Sequence, residues 1–173
     1  MRLGVVVNSV MSERAGYTTT RIGQAAVNRG HEVFVMGVAD FAYDADENIR
    51  ARARTVSRSQ YKTPEAYLGD LQGKAGRSER ITVDDLDILL LRNDPSEDKG
   101  SRTWAQSAGI DFGRIAMRHG VIVLTNRWDH GEIRDRLAQW GVQVLPKPFS
   151  PSRLSELIEL LMNTEARKPQ AQT

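Results

Sequence analysis

The residues best placed to do chemistry follow a single apolar run. Ile88 to Leu91 is unbroken and hydrophobic, and it stops abruptly at Arg92-Asn93-Asp94-Pro95. A guanidinium is a planar fork of donors that matches a carboxylate bidentately. The carboxylate of Asp94 can pair with an ammonium group or hold Arg92 in place, and Pro95 stiffens the loop that carries both. An earlier apolar run, Leu3 to Val7, ends in Asn8-Ser9. Arg92, Asp94, Pro95, Asn8 and Ser9 form the candidate binding set. The competing reading is an ordinary solvated connection in which Arg92 pairs with Asp94 or Glu97 at the surface, where such a pair is worth at most about 1 kcal/mol.

Other chemistries find less support. There is no cysteine, which excludes disulfides, thiolate catalysis and Cys-ligated metals. His31, His119 and His130 have no partners at zinc spacing, and no Ser-His-Asp set or pair of catalytic carboxylates can be assembled. Asp84-Asp85 could form a paired-acid metal site, but solvated loop acids explain them more simply, so no metal or cofactor is expected. Gly4 is isolated, with no dinucleotide fingerprint after it, and no P-loop occurs. Arg50, Arg52 and Arg54 alternate with small residues and share one face of a strand. That face is either an anion-binding stripe or a charged outer surface protecting a sheet edge.

The composition is that of a water-soluble domain: 173 residues, 40% hydrophobic, 27% charged, net charge +2. That charge is too small to argue for nucleic acid. No run approaches the roughly 18 apolar residues of a membrane span, and no signal-peptide pattern opens the chain. A cytoplasmic protein is expected, with no membrane or nucleic-acid partner.

The elements that must position the candidate set follow in order. Leu3–Val7 reads as a buried strand. Thr18 to Arg29 reads as a helix with Ile22, Ala25 and Ala26 at core spacing and Gly30 as its cap. Residues 31–36 form a second strand, completing a right-handed βαβ unit. Phe41 to Val56 reads as a hairpin turning near residues 44–48. Thr63-Pro64-Glu65 opens a helix, and residues 73–79 read as loop. After the central strand, Thr103 starts a helical segment interrupted at Gly109 and resumed over Phe112–His119, where Gly120 stops it. Strands over 121–125 and 142–145 flank a helix over 129–140, and Ser150-Pro151 opens a final helix. The expected fold is α/β, a doubly wound five-stranded parallel sheet of order 2-1-3-4-5 with a hairpin excursion after strand 2. One domain over 1–162 and a polar tail over 163–173 are expected. Such sheets bind ligands at the carboxyl ends of their strands, which is where Arg92 falls.

Leu86-Asp87 through Arg92-x-Asp94-Pro95 resembles the substrate-facing strand and loop of prokaryotic glutathione synthetase N-terminal domains. Thr18-Thr19 fits that family's hydroxyl pair at a helix start. The resemblance runs from Met1 to about Asn126. Where the family usually has a second proline, this chain has Ser96; where its first strand ends in an acid and a proline, this chain has Asn8-Ser9. In that family an ATP-grasp region follows and holds the nucleotide. The resemblance therefore implies a stand-alone pre-ATP-grasp module, binding a small γ-glutamyl peptide, another carboxylate or a partner protein. Such a module would be inactive alone and would contribute to an ATP-dependent carboxylate–amine ligase only with a separate ATP-grasp subunit.

A second resemblance lies in the last third. Val121–Thr125, Arg134 to Gly141 and Leu145-Pro-Lys147-Pro148-Phe149 resemble the second half of a response-regulator receiver domain, in which Thr125, Lys147 and a cis Pro148 would match. Arg92 stands where the acceptor aspartate should be, and Asp94 comes about 7 Å too late along the strand. Asn8-Ser9 replaces the metal-binding acids. The alternative function implied is a phosphorylation-incompetent pseudo-receiver that acts as an interaction module.

Overall fold

In the computed structural model, residues 1–46 and 48–125 are described, together with Ser152, Arg153, Glu156, Glu159 and Leu160 of a helical stretch. The chain divides into two compact units, 1–125 and 126–173.

The first unit is built on a mixed sheet of seven strands. In chain order its elements are β1 (Arg2–Val7), α1 (Thr18–Asn28), β2 (Glu32–Gly37), β3 (Phe41–Tyr43), β4 (Ile49–Thr55), α2 (Pro64–Gln72), β5 (Arg77–Thr82), β6 (Ile88–Leu91), α3 (Ala108–Arg118) and β7 (Ile122–Thr125). The strands β2, β1, β6 and β7 are parallel neighbours in that order. Val5, Val6, Val7, Val33, Val35, Leu89 and Leu91 are buried, and they divide between the two faces, as apolar runs demand in a sheet covered on two sides.

Two expectations about the sheet are corrected. It is not purely parallel: β4 pairs antiparallel with β2, with β3 and with β5, so the hairpin is part of the sheet and not an excursion from it. Residues 77–82, half of them read as loop, form β5. Its Arg-Ser-Glu-Arg start hides the strand because only Ile81 of its six residues is buried. The strand expected over 142–145, and with it the five-strand order, lies outside the described residues.

Helices cover both faces. On one face α1 and α2 enclose Val5, Val7, Val33, Val35, Tyr67, Leu68 and Leu71. On the other, α3 encloses Val6, Met36, Leu89, Leu91, Phe112 and Ala116, with the Phe41 and Phe112 rings stacked at 4.2 Å.

The helix details depart from the pattern in two places. The buried positions of α1 are Thr19, Thr20, Gly23 and Val27, while Ile22 is exposed. Gly23 sits there because the Tyr67 ring occupies the space of any Cβ. Gly109 lies inside α3 and does not interrupt it. A Cβ at 109 would meet the Asn93 amide, so that glycine admits the residue between Arg92 and Asp94 to the core. As expected, Thr63 caps α2 by accepting the Ala66 N–H, and Gly30 and Gly120 take positive φ after α1 and α3.

Candidate carboxylate site at the strand ends

The ends of β1 and β6 are brought side by side by register. Val6 pairs with Leu91, and the Arg92 N–H donates to the Val6 carbonyl at 2.8 Å. Beyond this point the backbones diverge and one side chain bridges them. Asn8 accepts the Asp94 N–H on Oδ1 at 2.7 Å and donates Nδ2 to the Asp94 carbonyl at 2.8 Å. The amide thereby imitates one more ladder step between the two loops. Asp94 accepts the Ser96 N–H on Oδ1 at 2.9 Å, and Pro95 starts the 3-10 turn Pro95–Glu97. Ser9 takes φ −158° and its carbonyl caps a second such turn, Val10–Ser12.

Behind this staple lies a pair that pattern reasoning missed. Asp98, 1% exposed, accepts Asn8 Nδ2 on Oδ2 at 2.9 Å and Arg102 Nε on Oδ1 at 2.9 Å. Arg102 also donates to the Asn8 carbonyl at 3.2 Å, and Gln106 Nε2 donates to the Asp98 carbonyl at 2.9 Å. A buried carboxylate survives only when paired and hydrogen-bonded in this way. Its signal was the i, i+4 spacing of opposite charges.

Arg92 faces the other way. Leu89 and Leu91 belong to the core under α3, and Leu90 packs against the core under α1 and α2. Strand alternation sends Arg92 to the Leu90 side. The 8–17 loop packs there, anchored by buried Val10 and by Ala15. Gln72 fixes the loop by donating Nε2 to the Val10 and Glu13 carbonyls at 2.8 and 3.0 Å.

Glu13 lies between those anchors, and it too escaped the sequence reading, because one acid in a polar loop gives no periodic signal. Arg92 Nε and Glu13 Oε2 are shielded from water, and neither has a hydrogen-bond partner among the described residues. Burial pushes the Glu13 carboxyl above the ordinary range; Arg92 pulls against this and Glu97 adds to it. The two groups thus feel each other's charge, yet no ion pair within 4.0 Å joins Arg92 to any described residue. The surface pair of Arg92 with Asp94 or Glu97, considered as an alternative, does not form.

The remaining candidates sit elsewhere or are engaged. Arg50 binds Asp44 and Asp46, Arg52 binds Asp40, and Arg54 donates to the Leu71 and Gly73 carbonyls at the end of α2. The arginine stripe is therefore structural. Asp85 closes a capping box with Thr82 and binds Arg2, while Asp84 meets His119 Nδ1 at 2.8 Å. Among the described residues no cluster of His, Asp or Glu could hold a metal, and no helix is long and apolar enough to cross a membrane. Thr125 ends β7 opposite Leu91. Lys147 and Pro148 lie outside the described residues.

The arrangement defines a class: an α/β domain whose candidate ligand groups gather at the carboxyl edge of a central parallel strand pair. A family model described as the prokaryotic glutathione synthetase N-terminal domain matches residues 1–106, which include both Asn8-Ser9 and the Arg92 loop. The chain belongs to that family. The match does not reach the stretch with receiver-like motifs. No curated protein matches the chain.

Proposed function

We propose that this chain is a ligand-binding module of the glutathione synthetase type. It holds a small carboxylate on Arg92, and a γ-glutamyl peptide is the fitting class. One observation carries the reading: Arg92, the residue that follows β6, has an Nε that is shielded from water and without a hydrogen-bond partner among the described residues. An unsatisfied buried donor is costly, by about 1–3 kcal/mol, and an incoming carboxylate removes that cost.

Asp94 and Pro95 act as scaffold in this reading. Asp94 holds the Ser96 N–H, and Asn8 holds the Asp94 backbone. In the family, ATP-dependent joining of a carboxylate to an amine draws its nucleotide from ATP-grasp lobes. The module's part is then to position the acceptor, with the ATP-grasp lobes supplied as a partner.

The test is thermal unfolding with and without millimolar γ-glutamylcysteine or glutathione. Either compound should raise the wild-type Tm, since a ligand bound only by the native state stabilises it. Arg92→Ala should keep the unliganded Tm within a few degrees and abolish the rise. If neither compound moves the wild-type Tm, the carboxylate reading of this loop is overturned.

A further inference from the structure

We infer that strand β5 is a docking edge for a second copy of this chain, joined antiparallel to its own copy across a two-fold axis at Ser78. This goes beyond the ligand-binding reading and does not depend on it. In β4, Ala51 pairs with Phe41 on one side and Ile81 on the other, and Arg54 pairs with Val35 and Ser78. Strand β4 therefore has both sides filled, while β5, among the described residues, pairs with β4 alone. The outer side of Arg77–Thr82 is an open row of backbone donors and acceptors, and no proline interrupts it.

The charges on this edge fall into two groups. Arg80 binds Asp44, and the three arginines of β4 are likewise engaged. Arg77 and Glu79 are not: neither has an ion pair or a side-chain hydrogen bond among the described residues. On β4 they face only Thr55 and Ala53. They share one face about 7 Å apart, with Ser78 between them turned to the other. A two-fold axis between antiparallel strands sets one residue against its own copy, and its neighbours pair symmetrically about it. With Arg77, Glu79 or Arg80 at the axis, like charges meet. With Ile81 or Thr82 there, Arg77 and Glu79 find no strand residue opposite. With Ser78 there, a small hydroxyl meets itself, and Arg77 and Glu79 of one copy face Glu79 and Arg77 of the other. That register alone matches both unpaired charges. An edge guarded against pairing carries charges of one sign, which repel any copy; opposite signs flanking a small residue complement one.

The test is sedimentation velocity on the full chain at concentrations rising to millimolar, where a monomer–dimer equilibrium is expected. Arg77→Glu and Glu79→Arg each set like charges opposite one another, and each should weaken self-association roughly tenfold or more. Neither position is buried, and circular dichroism verifies the fold of both variants. Mixed together, the two variants should associate with each other as tightly as the wild type does with itself, because every acid again faces an arginine. A wild-type chain that stays monomeric at millimolar concentration would overturn the inference. So would a dimer that either single variant leaves intact, which would place the interface elsewhere, or variants that fail to pair when mixed.

Discussion

Asn8 makes bonds that the family's usual acid could not. Its amide accepts one backbone N–H and donates to a backbone carbonyl and to the buried Asp98 carboxylate. An aspartate could keep only the first of these. It would also set two carboxylates against each other in a site where Asp98 is fully enclosed. Asn8→Asp should therefore cost about 3 kcal/mol or more at pH 7, the range for a broken buried charge network. Urea unfolding measures this, and the cost should shrink toward pH 4 as one carboxyl takes up a proton. A cost unchanged at pH 4 would show that lost donation, and not repulsion, dominates. Proline is equally barred from the next position: Ser9 has φ −158°, far from the −65° a pyrrolidine ring imposes. Glu13 runs in the opposite thermodynamic direction. Its folded-state pKa is raised, so its contribution to stability is full below the ordinary carboxylate range and is lost as pH rises through the folded value. Glu13→Gln should accordingly raise the urea midpoint at pH 7. A lowered midpoint would mean that the charge of Glu13 supports the fold.

At the scale of elements, the face carrying α1 and α2 contains a polar knot. Asp70, on α2, accepts Ser57 Oγ at 2.7 Å, the Ser57 N–H at 3.2 Å and the Tyr61 hydroxyl, with Arg58 Nε at 3.8 Å. Burial raises the Asp70 carboxyl, but the bonds from Tyr61 and Ser57 outweigh it and hold the group below its usual range. Asp85 is likewise lowered, chiefly by the Thr82 N–H. Depressed carboxyls stabilise above their unfolded-state pKa of about 3.9 and lose that contribution as pH falls through the folded value. The unfolding midpoint should thus drop steeply below pH 4, and Asp70→Asn should make that acid limb shallower. An unaltered limb would assign the acid loss to other groups. The apolar runs, the Thr63 cap and the cap glycines made β1, β2, β6, α2 and the helix ends legible in the sequence. Strand β5 was not legible, because an edge strand with one buried side chain carries no alternation worth reading. Gly109 read as a break because its role depends on Asn93, sixteen positions away in sequence. The same holds for the site: Arg92 was visible at the end of its run, whereas Glu13 acquires meaning only when α2 folds its loop back over the sheet.

For the whole molecule, the proposed reading as a binding module predicts no nucleotide site of its own. Calorimetric titration of the chain with MgATP should show no specific heat, and a stoichiometric micromolar isotherm would overturn that. The order of the sheet carries one more consequence. Strand β1 is central, yet its second neighbour, β6, begins only at Ile88. Closing that contact requires a loop of about 80 residues, an entropic barrier that slows folding. During synthesis β1 can pair with β2 early, but its other edge stays open until the ribosome has released Leu91. The valine-rich run Val5-Val6-Val7 is then an exposed template for foreign strands. A nascent chain stalled before the Arg92 loop would present this open valine-rich edge, so the residue proposed to hold ligand also marks the point in translation at which that edge can close.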